Sequence, residues 1–204
     1  AVNLDYFWRV LAGGLTPTTR WLEAVGCPHL AELVQALTAR AGSLVTEARL
    51  LWQSAAPTPV HGDLRLEHAL IQGGSAVLLD WEMFGLGDPA LDVATFLWKD
   101  AGGIDDAGRA HWLACYCDAV RSPEMRARID VYGRLLPLQQ FAFLLDGLRQ
   151  LTPSDRRDPD FRNNMVFLRQ TLIAAGEAAA ANLLTNAVMP LTEIDHLMIS
   201  VAKT

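Results

Sequence analysis

His61-Gly62-Asp63, His68 and Asp80-Trp81-Glu82 gather carboxylates and imidazoles into one short stretch of a chain that otherwise reads as amphipathic helix. Asp63 directly follows a flexible glycine, in a loop between extended segments. A carboxylate there accepts a proton from an attacking hydroxyl when it is held within about 2.6–3.2 Å of it. The competing reading is an aspartate capping a turn, and residue type alone leaves both open. Asp80 closes an apolar run. At a strand end it is a hard oxygen donor for Mg²⁺, which takes one or two protein carboxylates and fills its shell with substrate phosphates; a strand-end salt bridge is the alternative. His61 reads as a structural imidazole packed beneath the loop and orienting Asp63. Arg65 has the reach to touch a transferred phosphate, or it is an exposed loop cation. Asp92, one turn into a helix, reads as a structural carboxylate bracing the loop through backbone N–H groups.

A hairpin must hold these groups together. Ala69-Leu70-Ile71 and Ala76-Val77-Leu78-Leu79 flank Gln72-Gly73-Gly74-Ser75, and a glycine connection between two β-capable runs predicts a tight turn. It sets His61 to His68 on one side against Asp80 to Glu82 on the other.

The remainder predicts helices. Residues 3–12 form a short one closed by Gly13-Gly14, and Thr18 or Thr19 is placed to cap a second that ends at Gly26. Pro28 suits the first position of a long helix whose apolar residues, from Leu30 to Trp52, recur at steps of three and four. Pro57 and Pro59 end it and force an extended approach to Val60. Asp88-Pro89 has the form of an N-cap and a first helical residue, with Gly102-Gly103 closing that helix. Further helices are predicted from about Asp106 to Val120, from Ser122-Pro123 to about Leu151, from about Phe161 to Leu184, and after Pro190. Trp21, Trp52, Trp98 and Trp112 fit helix core stripes. The fold class is α+β, mostly α, as one domain over 1–204. Its parts are leading helices at 1–56, the site segment at 60–92 and a helical substrate-side subdomain at 93–204.

Composition bounds the possibilities. The chain has 204 residues, 51% hydrophobic and 20% charged, which is globular and not disordered. A formal charge of −6 argues against a nucleic-acid binder working by bulk phosphate neutralisation. Cys27, Cys115 and Cys117 make neither a disulfide framework nor a metal-ligand spacing, and reduced core thiols are expected. No signal-peptide pattern stands at Ala1, and no apolar run reaches the ~18 residues of a membrane span. The expectation is a soluble, cytoplasmic domain with no membrane or nucleic-acid partner.

The order His-Gly-Asp, a residue five beyond that Asp, a short hairpin, then Asp-Trp-Glu and Gly-Asp-Pro-x-x-Asp resembles the aminoglycoside phosphotransferase and choline kinase family, whose fold is similar to that of protein kinases. The resemblance covers Val60 to Trp98 directly. It implies an ATP-dependent O-phosphotransferase using Mg²⁺ and ATP, or another nucleoside triphosphate. By it, Asp63 looks like the catalytic base and Asp80 like the Mg²⁺ ligand. His68 stands where the family has a metal-binding Asn, and Arg65 where protein kinases carry a lysine that contacts the γ-phosphate. Asp92 looks like the brace of the catalytic loop. Asp80 and His68 would hold the metal and, through it, the nucleotide. The implied acceptor is a small-molecule hydroxyl, aminoglycoside-, choline- or sugar-like. Asp105, Asp106, Asp118, Asp146, Asp155, Asp158 and Asp160 would suit an acceptor that carries an amine.

Two features depart from that pattern. Imidazole suits softer metals than Mg²⁺, so His68 contacts the metal through water, or alters metal preference or activity, or is a packing residue. The chain also lacks the family's nucleotide-binding lobe: about sixty helical residues precede His61, the sole lysines are Lys99 and Lys203, and there is no G-x-G-x-x-G. The chain is thus expected to be the C-terminal lobe of such a kinase. Two other readings stay open. One is a non-catalytic kinase-like module that binds a ligand or partner; the other is a metal-dependent hydrolase using His61, Asp63, His68 and Asp80.

Overall fold

The computed structural model describes residues 3–100, 103–184 and 187–203. Seven α-helices are described: α1 (Leu4–Ala24), α2 (Pro28–Ala48), α3 (Pro89–Lys99), α4 (Asp106–Val120), α5 (Met125–Arg149), α6 (Phe161–Leu183) and α7 (Leu191–Lys203). Four short strands lie between α2 and α3: β1 (Thr58–Val60), β2 (Ala69–Gln72), β3 (Ser75–Leu78) and β4 (Gly85–Gly87). The mostly helical α+β class is therefore observed. None of the described helices is long and apolar enough to cross a membrane.

Two compact units divide the chain, one of Ala1–Phe7 with Val45–Leu136, the other of Trp8–Leu44 with Pro137–Thr204. The second is helical. Its core includes Leu15, Leu22, Leu30, Leu37, Phe141, Leu145, Leu172 and Leu197, all buried. α2 begins at Pro28, and its first N–H groups find their acceptor far away in sequence. The carboxylate of Glu193 on α7 takes the backbone N–H of His29 at 3.2 Å and of Leu30 at 2.8 Å. Such a cap satisfies donors that the helix itself leaves without partners.

The first unit carries the strands. β1 and β4 pair antiparallel, Val60 opposite Gly85, and β2 and β3 pair with Ala69 opposite Leu78. Gly73 and Gly74 make the turn with φ of 57° and 80°, values that suit glycine and match the twist of a two-residue hairpin. Asp88 anchors the start of α3. Its carboxylate takes the Ala90 N–H at 3.0 Å, the indole N–H of Trp52 and the Tyr132 hydroxyl at 3.2 Å. Arg128 lies 3.6 Å from it, and both charged side chains are buried. Burial and the neighbouring Asp88 charge push the Tyr132 hydroxyl well above its ordinary pKa. A buried carboxylate with this many donors is a strong positional lock.

Four sequence expectations need correction or qualification. α1 runs unbroken through Gly13-Gly14, because Leu11 and Leu15 on either side are both buried, and that burial outweighs about 1 kcal/mol per helical glycine. Thr18 and Thr19 do not cap a second helix; their hydroxyls donate back to the carbonyls of Gly14 and Leu15. Cys27 is a buried thiol, pushed up to about 11 mainly by burial, but Cys115 is exposed and Cys117 only half-buried. Gly102 lies outside the described residues; α3 ends at Lys99, and the Gly103 N–H donates to the Asp100 carbonyl at 2.9 Å.

Candidate active site

Both strand pairs end next to the site residues. The β1–β4 ladder stops at Val60 and Gly85, immediately before His61 and just after the turn of Trp81–Met83. The hairpin ladder extends one bond beyond β2 and β3, with the Leu79 N–H donating to the His68 carbonyl at 2.8 Å. Residue 68 is thereby held opposite residue 79, and Asp80 follows at once. Sequence positions twelve apart become neighbours.

Asp92 ties the loop down from below. One carboxylate oxygen takes the His61 N–H at 2.7 Å, and the Gly62 N–H lies 3.1 and 3.3 Å from the two oxygens. Burial raises the Asp92 pKa above its ordinary value, while these two backbone hydrogen bonds pull it down. His61 is 4% exposed and both its ring nitrogens are engaged. Nε2 donates to the Leu79 carbonyl at 2.7 Å, and Nδ1 accepts the Asp63 N–H at 3.4 Å. Trp81 packs against the ring at 4.6 Å. His61 therefore links the Asp63 loop to the end of the hairpin, and it has no nitrogen to give a metal. That removes one ligand from the metal-hydrolase reading.

Asp63, His68 and Asp80 come together above this base. His68 stands between the two carboxylates, with Nδ1 4.0 Å from Asp63 Oδ2 and Nε2 3.5 Å from Asp80 Oδ2. Nδ1 lies closer still, at 2.8 Å, to the Asp63 backbone carbonyl. Asp80 is a non-glycine residue at φ 61° with its side chain half exposed, and its carboxylate takes no hydrogen bond from the described residues. Arg65 sits beside the cluster, but its guanidinium pairs with Glu67 at 2.7 Å, and its Nε is enclosed without a partner. Among the described residues no three of His, Cys, Asp and Glu are grouped to hold a metal ion by themselves. A Mg²⁺ site built from one carboxylate and substrate phosphates needs no such group, so Asp80 fits that role.

One site residue was not foreseen. Lys99, the last residue of α3, places Nζ 2.7 Å from Asp63 Oδ1. That hydrogen bond is the main reason the Asp63 carboxyl lies below its ordinary pKa; burial opposes it, and the Lys99, His68 and Arg65 charges assist. A sequence clue existed. Lys99 follows Asp92 by seven residues, two helical turns, and so shares its face of α3.

A loop aspartate fixed through its backbone, a second carboxylate across a hairpin and a helical body make up the site and its frame. A choline/ethanolamine kinase family protein from Mesorhizobium loti has a similar solved fold, with a TM-score of 0.58 at 20% identity over 95% of this chain and 58% of that one. The chain thus spans 58% of the length of that relative. The chain itself belongs to the phosphotransferase enzyme family, whose sequence model matches residues 11–132. No curated protein matches it.

Proposed function

We propose that this chain is the catalytic lobe of an ATP-dependent O-phosphotransferase that moves the γ-phosphoryl group to a hydroxyl of a small molecule, of aminoglycoside, choline or sugar type. The observation that carries the reading is the triple Asp63–His68–Asp80, with its two short gaps of 4.0 and 3.5 Å. Lys99 occupies Oδ1 of Asp63, which leaves Oδ2 for the acceptor. The acceptor hydroxyl gives its proton to Oδ2 as its oxygen bonds to the γ-phosphorus and the bond to the leaving ADP breaks. Asp63 is ionised for this step, because Lys99 favours its charged form. Asp92 and His61 hold the loop so that the base does not wander, which matters in a reaction that depends mostly on positioning and charge. Asp80 would hold the divalent metal. That metal, when bound, neutralises phosphate charge. Lys99 supplies a second cation within reach of the transferred group, the role that Arg65, drawn to Glu67, fills less directly.

Five of the seven aspartates named for an amine-bearing acceptor have local partners. Asp105 caps α4 through the Gly108 N–H, Asp106 and Asp146 pair with Arg109 and Arg149, and Asp155 and Asp158 accept from Thr152 and Asp160. They are spent locally.

The test is phosphoryl transfer by the longest product of the gene, with ATP and a divalent metal, against a panel of amino-alcohol and sugar acceptors. Asp63→Asn is expected to lower kcat roughly 10²- to 10⁴-fold with the fold intact. If no acceptor on the panel is phosphorylated while metal and nucleotide still bind, the non-catalytic binding module replaces this reading.

A further inference from the structure

We infer that the metal position of this site is built for a first-row transition dication, Mn²⁺ ahead of Mg²⁺, with His68 Nε2 and Asp80 as direct ligands. The purpose of such a cation rests on the phosphotransferase reading; its chemistry does not.

The tautomer of His68 is the first support. Nδ1 lies 2.8 Å from the Asp63 carbonyl oxygen, and a carbonyl only accepts. A proton therefore sits on Nδ1, and in the neutral ring Nε2 presents a lone pair. An imidazole tethered through one N–H to a backbone carbonyl, with the other nitrogen free, is how proteins orient histidine for a metal.

The gap on the Nε2 side is the second. Asp80 Oδ2 is 3.5 Å away and Glu67 Oε1 3.8 Å. Both exceed the usual 2.7–3.2 Å hydrogen-bond range, and a lone pair facing a carboxylate is repulsive unless something positive lies between. Two donors that share a cation through bonds of about 2.0–2.2 Å, at coordination angles near 90–120°, sit roughly 2.8–3.8 Å apart. The His68–Asp80 gap falls inside that span without any movement. Glu67 is committed to Arg65, so the pair is His68 and Asp80.

Rigidity is the third. The His68 side chain is 13% exposed, and its ring stacks near-parallel to that of buried His61 with centroids 6.0 Å apart. The ring does not need ordering when the metal arrives. A nitrogen donor at this place penalises Mg²⁺, which demands oxygen and sheds water reluctantly, relative to Mn²⁺, which accepts imidazole and phosphate oxygen together. Two protein ligands make a weak site alone, so polyphosphate oxygens must complete the shell.

The experiment uses the longest gene product with Mn²⁺ and inorganic tripolyphosphate, which contains no nitrogen. Electron spin-echo modulation of the bound Mn²⁺ is expected to show coupling to a ¹⁴N nucleus. Displacement of Mn²⁺ by Mg²⁺ is expected to need about tenfold or more of the competitor. His68→Asn should abolish the ¹⁴N coupling and narrow the preference while keeping metal binding; Asp80→Asn should weaken both metals. The inference is overturned by bound Mn²⁺ without nitrogen coupling, by unchanged preference in His68→Asn, or by no Mn²⁺ binding. The first two outcomes describe a protonated His68 simply ion-paired with Asp80. Failure here leaves the phosphotransferase reading standing if acceptors are phosphorylated with Mg²⁺, and a silent acceptor panel leaves the metal result standing.

Discussion

The two carboxylates that face each other across His68 are held in opposite ways. Asp63 sits in a loop whose backbone is fixed at three consecutive residues: Asp92 takes two N–H groups, His61 takes the third, and Lys99 fastens the side chain. Asp80 has none of this. It lies in the left-handed region at φ 61° and ψ 58°, half exposed, next to a single turn of 3₁₀ helix. On the proposed reading, the base is placed before any ligand arrives, whereas the carboxylate proposed to meet the metal is held by fewer contacts. A non-glycine residue in the left-handed region costs backbone energy that its surroundings must offset. A general base loses rate with small displacements, but a metal pulls its own ligand into place.

The difference is best broken at Gly62. This residue has φ of 85°, and a Cβ added there would stand 2.4 Å from the Met83 carbonyl oxygen and 2.8 Å from Met83 Cβ. The obstacle is backbone, and the β1–β4 pairing two residues further on keeps it from retreating. Gly62→Ala is expected to cost about 2–4 kcal/mol, combining a steric clash with the left-handed penalty. Urea unfolding measures it. A cost below about 1 kcal/mol would mean that the loop is not the tight side of the site.

Asp80 should respond the other way. Asp80→Gly removes the strain of a side chain at positive φ, and a gain of up to about 1 kcal/mol is expected in the same assay. Binding of divalent metal should disappear in this variant. Stability rising as ligand affinity falls is the signature of a residue kept for function. A less stable Asp80→Gly protein that still binds Mn²⁺ would contradict the contrast between the two sides.

Features set by neighbours in sequence were readable, and those set by distant contacts were not. Gly73-Gly74 between two short apolar runs announced the hairpin, and Asp88-Pro89 announced the start of α3, since both are local backbone chemistry. The β1–β4 pair was invisible because three residues per strand leave no periodicity. The break expected at Gly13-Gly14 was overruled by burial on both sides of it. The hairpin's apolar residues Leu70, Ile71 and Val77 are exposed, which the sequence pattern does not report. Within the candidate site, residue type and order suggested Asp63, Asp80 and His68 together. The state of His68 depends on a carbonyl five residues back, and no spacing rule reports which nitrogen that carbonyl meets.

Lys99 gives the smallest and most specific effect. Its hydrogen bond and charge lower the Asp63 pKa. A carboxyl depressed in the folded state adds stability above its unfolded pKa and loses it as pH falls through the folded one. Lys99→Met therefore moves the Asp63 titration upward, toward the ordinary carboxylate range. Two consequences differ in size. Stability at neutral pH should change by only about 0.2–1 kcal/mol, because both partners are partly open to solvent. The acid limb of kcat/KM should shift to higher pH, and a ¹³C-carboxyl titration of Asp63 should move the same way even in protein that is not turning over. Lys99→Arg keeps the charge and should keep the limb low. An acid limb that stays put in Lys99→Met would reduce Lys99 to a surface partner. The firmness of the Asp63 side would then rest on Asp92 and His61 alone, which hold its backbone and not its proton.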